Sequence, residues 1–557
     1  MDDPRIRTPG PTEPGPRTWL RGAIILVVSA SLLASAVVYL GYHAWIAFDA
    51  DDTNHLETPL ALAVARQLHD GPSTLYGPFS GTDPLVLIHA PLYYRLAGLG
   101  AWPIARMGAS SIVAALIAGR TLSLIGMILI LIAAGRIATQ DRESRLVGAW
   151  AALLTATSPV FGSFAFTVRP DTLGIAFQTI GFGLVLRAIL SRGKDAHRPG
   201  WSGFKSESGE MESSPSHAWS LPLAGLMFGL AVCAKQHLIV AAGVAAILLL
   251  ISAFRGRLSF GLVTVSFLLG LLVPAAYYGW EQYVTDGRMA DSVVQLPSQL
   301  RKIAPADWSH VREVFLTVAK LSVGLIALAL SVLFVSPRRA IVGTRLDATL
   351  WVVLLAEIAA MIPLCLGSTG AWVNYAMPAF VWAAILVARA AIRVLDAPKL
   401  GVSSVVIGLA AFVLFANDVR LAEISYSFRR DGHQLISQVL ADPTVAGTPR
   451  NRRYFVGQPQ LNRLYGRTDL AHDEWLYASY EAAHMAEPRS QWLLAALTGN
   501  DPVLGHAPPD PVTLVVVPSD LKRGDFVYGL DVALPHLGYK NIQQYGRYAV
   551  WLRRSGD

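Results

Sequence analysis

Residues 22–52 read GAIILVVSASLLASAVVYLGYHAWIAFDADD, an apolar run over 22–44 that is followed by the acids Asp49, Asp51 and Asp52. A helix needs about 20 predominantly apolar residues to cross the hydrocarbon core of a bilayer. The run is longer than the apolar region of a signal peptide, and no small-residue cleavage site follows it. It therefore predicts a membrane anchor with acidic residues just beyond its end.

The composition extends this prediction to the whole chain. The 557 residues are 53% hydrophobic and only 15% charged, and the mean hydropathy is +0.43. A soluble globular chain carries about 25% charged residues, so a soluble enzyme, a disordered tail protein and a coiled coil are excluded. The two cysteines, Cys233 and Cys365, lie in apolar runs, which indicates small core residues rather than a disulfide or zinc site.

About eleven stretches are long and apolar enough to span a membrane: 22–44, 118–137, 146–166, 170–190, 221–235, 237–254, 259–279, 314–336, 348–367, 372–393 and 401–417. The fold class predicted is an all-α polytopic membrane protein with a small α/β domain at its C-terminus. We expect a disordered tail over 1–21, a membrane domain over 22–417 and the α/β domain over 418–557. Within that last domain 452–456, 512–517 and 548–554 read as strands, and 473–497 reads as helix.

The positive charges predict the orientation of the chain. Basic residues follow every second stretch: Arg136, Arg142 and Arg145; Arg187, Arg192, Lys194 and Arg198; Arg255 and Arg257; Arg338, Arg339 and Arg345; Arg389, Arg393 and Lys399. Connections rich in Lys and Arg are cytoplasmic in membrane proteins. The N-terminus is therefore predicted to be cytoplasmic and the C-terminal domain extracytoplasmic. The net charge of +7 reflects this topology, so no nucleic acid is expected as a partner.

The first outer connection, 45–117, is long and carries acids, aromatics and two predicted interfacial helices. Thr58 and Pro59 resemble the start of one helix, and Pro91 the start of the other, with Tyr93, Tyr94 and Trp102 at headgroup depth. Asp51 and Asp52 fit either a general base at the interface or solvated charges at a helix end. The pattern of Asp49 and Asp51 also matches the metal-binding DxD of nucleotide-sugar enzymes, but nucleotide sugars are cytoplasmic.

Three further polar clusters face the same side. Arg169 and Asp171 stand in FTVRPDTLG (166–174), Lys235 lies between two apolar stretches, and Asn374 and Tyr375 stand in GSTGAWVNYAMP (367–378). An arginine at this boundary suits a phosphate, whereas snorkelling or pairing with Asp171 is the plainer alternative. Helix packing is the alternative for Asn374 and Tyr375. Together the clusters suit an anionic lipid phosphate and a proton-abstracting step.

The order of these motifs resembles the GT-C superfamily of membrane glycosyltransferases that use polyprenyl-phosphate sugars, and most of all its bacterial ArnT and protein-mannosyltransferase-like group. The motifs are Asp51-Asp52 in the first outer loop, AVARQLHDG (63–71), IHAPLYYRLAG (88–98), VRPDTLG (168–174) and LAVCAKQ (230–236). The resemblance covers residues 45–420. His89 stands where the lipid A-modifying branch has lysine, which argues against aminoarabinose transfer.

The resemblance implies a donor sugar on a polyprenyl phosphate at the outer face of the cytoplasmic membrane. Asp51 would take a proton from an acceptor hydroxyl, which attacks C1 with inversion, while Asp52 and Asp171 would orient the acceptor or the base. His89, Arg169 and Lys235 would neutralise the phosphate, and the remaining expected donor-binding residues are Tyr93, Asn374 and Tyr375. The acceptor would be a glycan, a lipid or a protein. No cofactor is required, and a divalent metal stays open.

Two other classes remain as alternatives. A transporter or flippase of lipid-linked sugars would carry charged residues near the bilayer midplane, and Glu357 inside the ninth stretch is the main residue of that kind. Its alternative role is a buried hydrogen bond to a neighbouring helix. A non-catalytic assembly protein would share the topology without a need for Asp51.

Overall fold

The protein is described from a computed structural model. The residues that it describes are 16–48, 57–76, 87–195, 219–295, 297–298, 307–335, 343–367, 373–396, 402–456, 459–466, 497, 511–518 and 530–553. Asp51 and Asp52, the acids expected to carry the chemistry, lie outside these residues.

The chain is predominantly helical. In the first half the helices are α1 Pro16–Phe48, α2 Glu57–Asp70, α3 Leu92–Arg106, α4 Ser111–Ala138, α5 Arg145–Ala156, α6 Pro159–Ala165 and α7 Asp171–Asp195. In the second half the longer helices are α8 Ser220–Ala234, α9 Val240–Phe254, α10 Phe260–Val284, α11 Trp308–Leu321, α12 Val323–Val335, α13 Arg345–Gly367, α14 Met377–Leu395 and α15 Val402–Ala441.

The apolar helices correspond to the predicted stretches. In the described part of the chain 7 helices are long and apolar enough to cross a membrane, or 8 if the bent pair α11 and α12 counts as one span. The shorter apolar helices α5, α8 and α9 match the three remaining stretches. Two stretches are not straight helices: 146–166 is divided between α5 and α6, and the described residues of 314–336 are divided between α11 and α12, which meet at 76°. Hydropathy gave no sign of either break.

Burial separates inner from outer helices of the bundle. In the most apolar 18 residues of the span Val373–Leu395, 89% of the residues are buried, whereas the share for Phe260–Val284 is 11%. The buried helix packs Phe182 of α7 against Trp382 with ring centroids 5.0 Å apart. Cys233 and Cys365 are buried and free, as expected of small core residues.

A glycine brings α4 against the start of α7. A Cβ on Gly126 would lie 2.7 Å from the backbone nitrogen of Leu173, a distance that no side chain tolerates. Small residues allow helix backbones to approach in this way inside membranes. The contact fixes the N-terminal turn of α7, which begins at Asp171.

The helices of the first long connection form a second apolar cluster against α4. The described part of helix α2 begins at Glu57 rather than after Thr58, and an acid in its first turn suits the helix dipole. Helix α3 begins after Pro91, close to the predicted start. Tyr93 and Tyr94 are fully buried inside the protein, whereas Trp102 is 52% exposed, so of the three only Trp102 presents much of its ring at the surface.

The C-terminal region contains a four-stranded sheet. Its strands are β1 Arg453–Phe455, β2 Leu514–Pro518, β3 Tyr539–Tyr545 and β4 Tyr548–Arg553, in the order β1-β2-β4-β3. Strands β1 and β2 are parallel and the other neighbours antiparallel. Helix α15 runs without a break through the predicted boundary at 417 and reaches Ala441. The predicted helix over 473–497 lies outside the described residues except for its last residue.

Candidate functional site

Asp171 is the centre of a buried polar cluster. It opens α7, is fully buried, and pairs with Lys235. Arg169 Nε lies 3.3 Å from its Oδ2 atom, and the Asn374 side-chain amide donates to Oδ1 at 2.9 Å. Three predicted segments, 166–174, 230–236 and 367–378, therefore meet at one carboxylate, which the sequence could suggest only from their shared side of the membrane.

Lys235 lies at the C-terminal end of α8 and joins this cluster to Tyr375. Its ammonium group lies 5.2 Å from the centroid of the Tyr375 ring, within the range of a cation–π contact. The His237 ring stacks on the same Tyr375 ring, with centroids 4.3 Å apart. The turn after α8 thus contacts both the start of α7 and the segment that precedes α14.

Gln236 holds the segment that carries His89. The backbone N–H of Ala90 donates to Gln236 Oε1 at 3.2 Å, and Gln236 Nε2 donates to the Ile88 carbonyl at 3.0 Å. The Tyr76 hydroxyl donates to the carbonyl of His89 at 2.7 Å. His89 is therefore fixed through its backbone from both sides, next to the turn that contains Lys235. Sequence reasoning noted Gln236 beside the lysine but gave it no role.

Glu57 anchors the end of the acidic loop to the same site. Its carboxylate accepts from Arg120 Nε at 2.9 Å and from Arg120 Nη2 at 3.0 Å. The backbone N–H of Val168 also donates to it, at 2.9 Å. Arg120 lies inside the apolar helix α4, and its isolation among apolar residues was the signal by which the sequence could have revealed it.

Tyr93 is placed beside the cluster, and its hydroxyl is used within the protein. It donates to the Gly119 carbonyl at 2.6 Å and lies 2.8 Å from the hydroxyl of Ser123. The Ser123 hydroxyl in turn donates to the Thr167 carbonyl at 2.6 Å. This chain of contacts supports the loop that carries Arg169.

The described part of the cluster carries one excess positive charge. Arg169 and Lys235 are both cationic, Asp171 supplies the one carboxylate between them, and Glu57 and Arg120 balance each other. Burial and the two neighbouring cations lower the pKa of His89 to about 3, so its ring is neutral at physiological pH. The guanidinium of Arg169 also lies over the Phe164 ring, 4.8 Å from its centroid. The arrangement suits an anion.

The described residues contain no group of three or more His, Cys, Asp or Glu side chains that could hold a metal ion. Asp51 and Asp52 are not among the residues to which this statement applies. The contacts of Asp171 with Lys235, Arg169 and Asn374 are those of a carboxylate engaged by cations and an amide rather than by a metal.

A second ionic cluster lies at the opposite end of the bundle, where α4 ends and α13 begins. Arg389 is fully buried and donates to Asp347 at 2.6 Å and to the Ala138 carbonyl at 2.7 Å. Arg393 donates to Asp347 and to Glu143. Because every one of these groups is paired, this cluster joins helix ends and leaves no charge for a ligand.

Glu357 is one of the charged residues in the interior of the bundle. It lies in α13 and accepts from the side-chain amide of Gln178 on α7. The prediction of a buried hydrogen bond to a neighbouring helix is therefore confirmed.

Comparison with solved structures shows the fold. The chain is similar to ArnT from Cupriavidus metallidurans bound to undecaprenyl phosphate, with a TM-score of 0.52 and 12% identity over 93% of this chain and 98% of that one. For the apo state of the same protein the TM-score is 0.53 and the identity 14%, over 92% and 97% of the two chains. The apo oligosaccharyltransferase from Archaeoglobus fulgidus gives a TM-score of 0.48 at 12% identity, over 95% of this chain and 74% of that one.

No protein-family model and no curated protein matches the chain. The match to ArnT extends over nearly the full length of both chains. The chain is a multi-pass membrane protein with the fold of ArnT.

Proposed function

We propose that this protein is a glycosyltransferase that moves a sugar from a polyprenyl-phosphate donor to an acceptor hydroxyl. The observation that supports it best is the convergence of Arg169 and Lys235 on the single buried carboxylate of Asp171. The excess positive charge suits a lipid phosphate, and the ArnT structure of the same fold holds undecaprenyl phosphate.

The donor phosphate lies against Arg169 and Lys235, with His89 beside them as a neutral group. These cations stabilise the negative charge that develops on the phosphate as the C1–O bond breaks and its electron pair passes to the leaving oxygen. Asn374 and Tyr375 hold Asp171 and Lys235 in place. Asp171 acts as a positioning group, because Lys235 and Asn374 both donate to its Oδ1 atom and the Arg169 guanidinium lies 3.3 Å from Oδ2.

Asp51 is the general base of this proposal. The acceptor hydroxyl attacks C1 from the face opposite the phosphate, so that the configuration at C1 inverts, and its proton passes to the Asp51 carboxylate. Asp52 orients the acceptor or the base. The acceptor is a hydroxyl of a glycan, a lipid or a protein, and the sugar is a hexose or pentose. The phosphate is a sufficient leaving group when cations hold it, so the scheme requires no cofactor.

We further propose the inner membrane as the location, with a cytoplasmic N-terminus and an extracytoplasmic C-terminal domain from residue 418. The basic connections after alternate spans support this orientation. It places the Asp171 cluster at the outer face, where a flipped lipid-linked sugar is accessible.

The test uses the full chain in lipid nanodiscs with a polyprenyl-phosphate sugar and measures release of polyprenyl phosphate. Asp51→Asn should abolish release, because an amide does not accept the proton. Asp49→Asn is the matched control in the same segment and should retain activity. Normal turnover by Asp51→Asn would refute the assignment of Asp51 as the general base. If the unmodified protein releases no polyprenyl phosphate with any acceptor class, the proposed glycosyltransferase activity is refuted.

The alternative is a transporter of lipid-linked sugars. It predicts movement of the intact donor between leaflets without cleavage, which a labelled donor in proteoliposomes reveals. The hydrogen bond between Glu357 and Gln178 gives this carboxyl a structural partner, so this residue does not favour transport.

A further inference from the structure

Tyr94 has a buried hydroxyl with no hydrogen-bond partner in the described part of the chain. The residue is fully buried in α3. An unpaired buried hydroxyl costs free energy, and native proteins rarely leave one without a water or ligand to complete it. The Tyr94 hydroxyl therefore points to a group that the described part of the chain does not supply.

The hydroxyls of three other tyrosines in the same region form hydrogen bonds within the protein. The hydroxyls of Tyr76, Tyr93 and Tyr278 donate to the backbone carbonyls of His89, Gly119 and Val232. The contrast with Tyr94 is sharpest for its chain neighbour Tyr93, whose ring meets it edge-on at a centroid distance of 5.3 Å. The polar surroundings thus offer acceptors, yet Tyr94 uses none of them.

Tyr94 lies against the candidate site. Its ring stacks on the ring of His89, with centroids 6.4 Å apart and planes 16° from parallel. Arg169 and Asp171 are the charged residues whose fields act on its hydroxyl. Burial, the largest effect, raises the pKa of Tyr94 well above its usual value, so the hydroxyl keeps its proton and remains a donor.

We infer that Tyr94 is a further binding residue, whose hydroxyl donates a hydrogen bond to an oxygen of the lipid-linked phosphate that Arg169 and Lys235 attract. The inference rests on the proposed function and adds a neutral donor to the two cations. A hydrogen bond to an anionic oxygen is about twice as strong as one between neutral groups. The phenol of Tyr94 and the ring of His89 are both uncharged, so neither competes with Arg169 and Lys235 as a counter-ion for the phosphate.

The experiment measures binding to the full chain in nanodiscs. The probe is radiolabelled undecaprenyl monophosphate without a sugar, and undecaprenol, which lacks the phosphate, is the reference. Tyr94→Phe should weaken binding of the phosphate about tenfold or more and leave binding of undecaprenol unchanged. Its melting temperature should equal that of the unmodified protein, because no hydrogen bond to a described residue is lost. Tyr278→Phe, which loses a hydroxyl bonded to a backbone carbonyl, should bind both lipids normally.

The outcomes separate the two proposals. If the unmodified protein binds the phosphate no better than the alcohol, the proposed function fails. If it discriminates, Lys235→Met loses that discrimination and Tyr94→Phe keeps it, the inference about Tyr94 is overturned and the proposed function stands. An equal loss of both lipids with Tyr94→Phe also overturns the inference, because the hydroxyl would then matter for shape rather than for the phosphate.

Discussion

Glu57 and Arg120 form a buried two-pronged ion pair, with N–O distances of 2.9 and 3.0 Å, that joins the start of α2 to the membrane-spanning helix α4. The same carboxylate accepts from the N–H of Val168, next to Arg169. Because an extended chain spans at most about 3.6 Å per residue, this anchor keeps Asp51 within about 22 Å of Glu57. A residue with no part in the chemistry thus limits where the proposed base can lie.

Removing one partner of this pair should destabilise the protein strongly. Arg120→Met leaves the Glu57 carboxylate buried without its cation, at a cost of about 3–5 kcal/mol. The double variant Glu57→Gln with Arg120→Met should recover much of the melting temperature in detergent, because it buries no charge. Equal melting temperatures for the single and double variants would contradict a buried pair.

Asp171→Asn should lower stability and strengthen phosphate binding at the same time. The amide leaves Arg169 and Lys235 without their shared carboxylate, which destabilises the fold, and it raises the local positive charge by one. Isothermal titration calorimetry with polyprenyl phosphate measures the change in binding, and thermal melting measures the change in stability. Lys235→Met should weaken phosphate binding. Weaker binding by Asp171→Asn in protein that remains folded would show that the carboxylate itself contacts the ligand.

His89 should make stability depend on pH. Its pKa in the folded protein is about 3 because of burial and the cations Arg169 and Lys235, whereas in the unfolded chain it is about 6.5. Between these values the unfolded chain binds the proton and the folded protein does not, so this contribution is present above pH 6.5 and is lost as the pH falls. The loss is at most about 1.4 kcal/mol per pH unit.

Melting curves from pH 7 to pH 5 test this expectation. The melting temperature of His89→Gln should fall less over that range than that of the unmodified protein. Identical slopes for the two proteins would mean that His89 does not resist protonation.

Gln236→Met should loosen the segment that carries His89. It removes the bonds to the Ile88 carbonyl and the Ala90 N–H, so hydrogen exchange over 87–91 should accelerate about tenfold, and the KM for the donor should rise. Gln282 is the matched control, because its side chain bonds Gly287 and Ala290 in the same two-way manner. Gln282→Met should change exchange near 287–291 only, and faster exchange over 87–91 in that variant would refute a local effect.

The ionic cluster at the other end of the bundle should matter for stability alone. Arg389→Met unpairs Asp347 in part and removes bonds to backbone carbonyls, so the melting temperature should fall clearly. The KM for the donor in the protein that remains folded should not change. A raised KM with unchanged stability would indicate that this end communicates with the site.

The membrane class and the positions of the apolar helices followed from the sequence because transfer of a helix into lipid depends on its composition, which is local. The sequence predicted eleven spans, whereas 7 or 8 of the described helices or helix pairs are long enough to cross a membrane. The start of α3 was predicted well, since Pro91 fixes the backbone of its own neighbours. The break at Ser322 and the strand Tyr539–Tyr545 were missed, because no proline marks the first and no regular apolar alternation marks the second.

The sequence alone identified the polar residues of the candidate site. Ionisable and polar groups beside apolar spans are conspicuous, because placing them near the bilayer costs free energy. These residues are Arg169, Asp171, Lys235 and Asn374. Only the tertiary structure decided that one carboxylate serves two of these cations, that Tyr93 is tied to the backbone, and that Arg120 anchors Glu57. Such pairings depend on which helix ends meet. Helix ends meet according to side-chain packing between segments far apart in the chain, such as Gly126 against Leu173, and no local pattern records that packing.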